Sequence, residues 1–169
     1  LLGIAFDESD GGQGGTLMHA VLAIQQVALV CPKSADIVQA GNFGPVRTFV
    51  EYASPEQKAR FLPDILAGKK LISLGMSEPD AGSAVTELQT SARLDGDHYV
   101  INGHKWFTSN GIDADFFIVM CRVTEKDAVD KKSGPMVQII VPAATKGVNI
   151  VRGIGVWGRK ESDHCEVKY

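Results

Sequence analysis

The chain has 169 residues, 44% hydrophobic and 22% charged, with a formal net charge of −3. That length holds one generous domain or two small ones and can bury a real core. The mildly acidic balance leaves no basic footprint for nucleic acid or an anionic membrane, but it does not exclude an anionic ligand, which local donors can hold.

The first part reads as helical. From Thr16 to Val30 the apolar positions Leu17, Val21, Ile24 and Ala28 step at helical spacing, and Leu22 and Leu29 widen the stripe. This is the longest apolar candidate. His19, Gln25 and Gln26 interrupt it, and it falls short of the roughly 20 residues that span a bilayer. Cys31-Pro32 stops the helix, and Ser34 is a candidate cap for a second one carrying Ile37, Val38, Val46, Phe49 and Val50. Within it, Gly41-Asn42-Phe43-Gly44-Pro45 reads equally as a kink or as a loop joining two short helices. Ser54-Pro55-Glu56-Gln57 predicts a helix start, with Ser54 at the N-cap, Pro55 in the first turn and Gln57 reaching back in a capping box. Pro63 and Gly68 are read as its close.

After Lys70 the pattern turns to β. Leu71–Leu74, Tyr99–Ile101, Trp106–Thr108, Phe116–Val123, Val137–Val141, Val148–Val151 and His164–Tyr169 are short strand candidates separated by Gly, Asn, Asp and Pro. Intervals near ten residues predict an antiparallel barrel or sandwich. The charged tract Lys126 to Ser133 reads as a surface loop. The expected fold is therefore α+β, with an all-helical domain over 1–69 and an antiparallel β-domain over 70–169. Leu1 is not a methionine and Tyr169 falls inside an alternating pattern, so both ends are read as cut, and a missing targeting peptide is uninformative.

The cysteines Cys31, Cys121 and Cys165 sit in or beside apolar runs without metal-ligand spacing, which predicts reduced, mostly buried thiols in a reducing compartment. His19, His98, His104 and His164 form no ligand pattern, and no metal is expected.

Two segments carry chemistry. In Leu74-Gly75-Met76-Ser77-Glu78-Pro79-Asp80-Ala81-Gly82-Ser83 an apolar run ends in a turn of small residues, hydroxyls and acids. Pro79 fixes one backbone angle and Gly82 permits conformations other residues resist. Such a loop can offer backbone N–H groups and the hydroxyls of Ser77 and Ser83 to an electron-rich ligand, or be an ordinary strand-to-strand turn. In Ile101-Asn102-Gly103-His104-Lys105-Trp106-Phe107-Thr108-Ser109-Asn110-Gly111, two Asn-Gly turn signals bracket strand formers. On a strand, Phe107 and Ser109 share one face. A flat aromatic beside a hydroxyl suits a planar heteroaromatic; the other reading is a hairpin with its aromatic in the core and a solvated serine.

Together these segments resemble the acyl-CoA dehydrogenase family. The first is similar to its T-E-P-x-A-G-S flavin loop, with Ser77 for the usual threonine. The second is similar to G-x-K-x-W-I-T-N-G, with Phe107 for the tryptophan and Ser109 for the threonine. Gly11-Gly12-Gln13-Gly14-Gly15, the stretch Ala53-Ser54-Pro55-Glu56-Gln57-Lys58 with Phe61-Leu62-Pro63 and Ala67-Gly68, and Gly158-Arg159-Lys160-Glu161-Ser162-Asp163 resemble further family segments.

The resemblance implies oxidation of an acyl-CoA thioester to the 2,3-enoyl-CoA, with α-proton abstraction by a carboxylate and β-hydride transfer to FAD N5. The resemblance implies FAD rather than FMN or NAD, because both family flavin segments are present while no Gly-x-Gly-x-x-Gly follows a strand. The implied cofactor-binding residues are Leu74, Met76, Ser77, Ser83, Phe107, Thr108 and Ser109. The backbone from Leu74 to Ser77 would border the ring, with Met76 and Ser77 facing its pyrimidine edge. Ser83 would lie near both diphosphate and thioester, Phe107 would pack on the isoalloxazine, and Ser109 would bond near N5. Trp106 is read as core, and Glu78 as a structural residue of its turn. Glu161, Asp163 and Glu166 are read as solvated. No catalytic residue is assigned, since the resemblance implies a glutamate base from a helical domain that would follow Tyr169. The implied partners are the acyl-CoA substrate, electron-transfer flavoprotein as acceptor and further copies of the chain in a homodimer or homotetramer. The implied location is cytoplasmic, or the mitochondrial matrix in a eukaryote. An acyl-CoA oxidase or another flavoenzyme on the same scaffold, and a non-catalytic binding or assembly domain, are the alternatives.

Overall fold

The computed structural model describes residues 1–124, 134–157 and 163–169. The predicted surface loop over 126–133 and the family-like segment over 158–162 lie outside the described residues. The chain divides into two compact units, Leu1–Leu71 and Ile72–Tyr169.

Four α-helices stand in the first unit among the described residues: α1 (Leu17–Ala28), α2 (Pro32–Ala40), α3 (Pro45–Tyr52) and α4 (Pro55–Leu66). A reciprocal capping box opens α1: Thr16 Oγ1 accepts from His19 N–H at 3.3 Å, and Thr16 N–H donates to His19 Nδ1 at 3.1 Å. The apolar stripe of α1 exists but is uncovered: of its residues only Ala20 is buried, and Leu17, Val21 and Leu22 are exposed. Helix α2 begins at Pro32 rather than after Ser34, because a proline at the first helical position needs no donor and has φ preset for the turn. Cys31 becomes the N-cap and is exposed, against the expectation that it is buried.

Residues 41–44 form a loop joining two short helices. Asn42 is fully buried there, its amide donating to the carbonyls of Val38 (2.8 Å) and Leu1 (2.9 Å). At α4 the predicted box is present, with Gln57 N–H donating to Ser54 Oγ at 3.3 Å and Ser54 N–H to Gln57 Oε1 at 2.9 Å. Pro63 does not close this helix. It lies inside, the chain stays helical to Leu66, and Gly68 follows in the left-handed region (φ 70°).

The second unit contains eight described strands: β1 (Ile72–Gly75), β2 (Ser91–Asp95), β3 (His98–Asn102), β4 (His104–Ser109), β5 (Phe116–Thr124), β6 (Met136–Pro142), β7 (Asn149–Gly153) and β8 (His164–Lys168). Seven coincide with predicted strands. The unpredicted one, β2, alternates over only five residues and carries no β-branched or aromatic residue: Ala92 is fully buried in the core and Leu94 is exposed.

The sheets are not an antiparallel barrel. One is mixed: β5 pairs antiparallel with β6 on one edge, and on the other edge pairs parallel with β1 along its first half and with β2 along its second. The other sheet is antiparallel, in the order β4-β8-β7. The expectation fails because spacing along the chain reports only local hairpins. Between Gly75 and Phe116 the chain crosses at Gly103 into the second sheet and returns, so β5 runs in the same direction as β1, as such a long crossover allows. The unbroken apolar run from Phe116 to Val119 fits a central strand buried on both faces. Phe117, Val119 and Cys121 of β5, Val141 of β6 and Cys165 and Val167 of β8 form one core between the sheets.

Candidate functional site

Both motif segments lie in the second unit. After β1, Glu78 N–H donates to Ala81 O at 2.9 Å and Ala81 N–H returns a bond to Glu78 O at 3.2 Å, which pinches Pro79-Asp80 into a tight turn. The Glu78 side chain turns inward. Its Oε1 accepts from Lys105 Nζ at 2.8 Å and from Thr90 N–H at 2.9 Å, and its Oε2 accepts from Gln89 N–H at 2.6 Å. Lys105, fully buried, also donates to the Met76 carbonyl at 3.0 Å, and Trp106 N–H donates to Ser77 O at 2.8 Å. The loop is thus fastened to β4 at three points. Burial alone would raise the Glu78 carboxyl, but the Lys105 ammonium with the Thr90 and Gln89 donors overcomes it and holds the group below its ordinary range. Burial also holds the Lys105 ammonium below the usual lysine value, against the pull of Glu78.

Strand β4 does not keep a simple two-residue alternation. Opposite β8, Lys105 pairs with Val167 and Thr108 with Cys165, so Trp106 and Phe107 together face Glu166 in a β-bulge. Phe107 takes up the extra residue in the left-handed region (φ 55°), a conformation that strains a bulky side chain. The residue is 51% exposed. Thr108 is fully buried, its hydroxyl unpartnered among the described residues, so its side chain points away from the surface on which Phe107 stands. Ser109 is exposed again, its Oγ 2.9 Å from His164 Nδ1. Ser73 Oγ donates to Ser109 O at 2.7 Å and ties β1 to the end of β4. Leu74, Met76 and Ser77 are half-buried, and Ser83 is exposed beyond the turn.

Two expectations are corrected here. Trp106 is not core: the bulge leaves it half-buried, 5.3 Å beneath the Arg152 guanidinium and 5.9 Å from the His104 ring. Glu166 is not solvated: as the middle residue of the central strand β8, it is reached from both sides. His104 Nε2 lies 2.7 Å from its Oε1, and Arg152 Nε donates to Oε2 at 2.8 Å. The Arg152 bond holds its carboxyl below the ordinary range. Sequence reasoning also passed over Lys105 and His164. A lysine reads as exposed by default, and His164 meets Ser109 only through the β4–β8 ladder; the paired Glu and Lys of the two motifs were the available signal. Among the described residues no group of three or more His, Cys, Asp or Glu could hold a metal ion, and no helix is long and apolar enough to cross a membrane.

The chain is thus a helical unit followed by two sheets, with a strained exposed aromatic and an exposed hydroxyl beside a pinned loop. Residues 1–69 match the family described as Acyl-CoA dehydrogenase, N-terminal domain, and residues 73–169 match Acyl-CoA dehydrogenase, middle domain. The chain belongs to the acyl-CoA dehydrogenase family. It is 36% identical over 119 residues to the short-chain specific acyl-CoA dehydrogenase of Clostridium acetobutylicum, covering 70% of this chain and 31% of that protein. It is 30% identical over 168 residues to the 3-sulfinopropanoyl-CoA desulfinase of Advenella mimigardefordensis, covering 98% of this chain and 41% of that protein. Among solved structures, the acyl-CoA dehydrogenase of Geobacillus kaustophilus superposes with a TM-score of 0.84 at 28% identity, covering 99% of this chain and 43% of that one. An acyl-CoA dehydrogenase of Bacillus anthracis complexed with FAD gives 0.84 at 27%, covering 99% and 28%. The chain thus spans less than half the length of these relatives.

Proposed function

We propose that the protein carrying this chain is an FAD-dependent oxidoreductase that oxidises an acyl-CoA thioester to the 2,3-enoyl-CoA. The observation that carries the reading is Phe107: an aromatic held exposed, in a strained left-handed bulge, two residues from an exposed hydroxyl and beside a loop whose backbone Lys105 fixes. Strain of this kind persists where the surroundings over-determine it, and here it gives a ring what it needs, a flat apolar face and one hydrogen-bonding group. FAD, when bound, supplies the two-electron acceptor. Phe107 stacks on it, Ser109 bonds at its edge, and the backbone from Leu74 to Ser77, with Met76 and Ser77, borders it. Thr108 takes part through its main chain, and Ser83 lies toward the diphosphate and thioester.

No catalytic base is assigned to this chain. The inward carboxylates nearest the motifs are engaged, Glu78 by Lys105, Thr90 and Gln89, and Glu166 by His104 and Arg152. Family membership also supports electron-transfer flavoprotein as acceptor, a homodimer or homotetramer, and a reducing compartment, the cytoplasm or the mitochondrial matrix. The desulfinase relative shows that membership alone does not fix the reaction at the acyl group.

The test is anaerobic titration of the full-length protein with acyl-CoA thioesters while the visible flavin absorbance is followed. Bleaching with formation of the enoyl-CoA is the expected result. A protein purified without flavin, or one whose flavin no acyl-CoA bleaches, would defeat the reading. Rapid reoxidation by oxygen with peroxide release would identify an oxidase.

A further inference from the structure

Ser109 and His164 are cross-strand partners on the last rung of the β4–β8 ladder, and their side chains meet at 2.9 Å between Oγ and Nδ1. His164 is itself fixed through its main chain, its carbonyl accepting from Ile154 N–H at 2.8 Å, while Ser73 Oγ holds the Ser109 carbonyl. Both side chains therefore start from anchored backbone, and the contact is set by the fold.

A hydroxyl has one hydrogen to give, and a neutral imidazole carries its hydrogen on one nitrogen only. When Nδ1 is bare, it takes the Ser109 hydrogen, and the serine presents only lone pairs to anything lying on Phe107. When Nδ1 carries the hydrogen, it donates to Ser109 Oγ and the hydroxyl hydrogen is free to point outward. The N5 atom of an oxidised flavin can only accept, so Ser109 serves it in the second state and not in the first.

We propose that His164 is a positioning residue for the flavin: its Nδ1–H donates to Ser109 Oγ and so aims the Ser109 hydroxyl hydrogen at the flavin N5. This rests on the reading that FAD stacks on Phe107.

The test uses the full-length protein and four variants: Ser109→Ala, His164→Leu, His164→Asn and the double Ser109→Ala/His164→Leu. For each, the FAD dissociation constant and the flavin midpoint potential are measured, the latter by equilibrium reduction against a reference dye, so that no acyl substrate is needed. Expected is a shift of the reduction equilibrium constant of roughly 2- to 13-fold in His164→Leu, the range of one neutral hydrogen bond. His164→Asn, whose amide can donate from nearly the same place, should recover most of it. In the Ser109→Ala background the leucine should add nothing, because its route to the flavin is gone. An equal effect of His164→Leu in both backgrounds, or none in either, overturns the proposal. Wild-type potential and FAD affinity in Ser109→Ala also overturn it, but by removing the flavin from this segment altogether. If the leucine variant fails to fold, His164→Ala, alone and combined with Ser109→Ala, takes its place: a shift that vanishes in the Ser109→Ala background supports the proposal, and no shift in either background, or an equal shift in both, refutes it.

Discussion

Lys105 and Glu78 lie 27 residues apart in the sequence and 2.8 Å apart in the fold, with the lysine fully buried. They belong to the two segments that carry the family resemblance, so those segments are held together by a charge pair as well as by the Trp106 N–H bond to Ser77 O. Their contact places the Met76 carbonyl and thereby shapes the loop on which the proposed cofactor rests.

Breaking that pair should cost more than removing it. Glu78→Gln leaves the Lys105 ammonium buried without its counter-charge and should destabilise the fold by roughly 3–5 kcal/mol. The double variant Glu78→Gln/Lys105→Met should recover part of the loss. Urea midpoints of the two variants and the wild type check this; equal midpoints for wild type and Glu78→Gln would contradict it.

Stability should fall in acid. The carboxyls of Glu78 and Glu166 both titrate lower in the folded chain than their ordinary values. Protons therefore bind the unfolded chain more readily, and the stabilisation is fully present above the unfolded glutamate value of about 4.3. It drains away as pH falls through the lower folded values. Urea midpoints measured from neutral pH downward should show this acid limb, and Glu166→Gln should flatten it.

The three cysteines should separate cleanly under a thiol-labelling reagent. The Ser34 hydroxyl lowers the exposed Cys31 thiol, while burial pushes Cys121 up to about 12 and Cys165 up to about 11. Because the thiolate is the nucleophile, mass spectrometry at mildly alkaline pH should find Cys31 modified first, and the other two only after denaturation. Early labelling of Cys165 would mean that the core between the sheets opens readily.

Phe107→Gly should move stability and cofactor retention in opposite directions. Glycine occupies the left-handed region without strain, and the lost ring is half-exposed, so the apoprotein should keep or gain stability, by up to about 1 kcal/mol. FAD retention should fall, since the stacking face is gone. A matched loss of both would make Phe107 an ordinary packing residue.

What could be read from the sequence divides by range. The Ser54–Gln57 capping box is written in four consecutive residues, and the prediction matches the structure bond for bond. Seven strands announced themselves by apolar runs between turn residues, whereas β2 hid behind a lone core alanine. The parallel pairing of β1 with β5 was not legible, because no local spacing reports a crossover. At the site, the two segments were legible through resemblance. The bulge that lifts Phe107 depends on the opposing β8, and the burial of Lys105 depends on a carboxylate from another loop. Both are properties of pairs, which composition and periodicity do not contain.

The bulge at Trp106-Phe107 has a counterpart. On the other side of β8, Ile150 pairs with Val167 and Arg152 with Glu166, so Val151 is an extra residue there, and both irregularities fall at Glu166. A strand notched at one position on each edge is indexed against its neighbours and cannot slide. A shift of one residue would turn the buried Cys165 and Val167 outward and push the Glu166 carboxylate into the core. Strand β8 should accordingly accept changes of side chain far better than changes of length: a single deletion between His164 and Lys168 would unseat both edges at once.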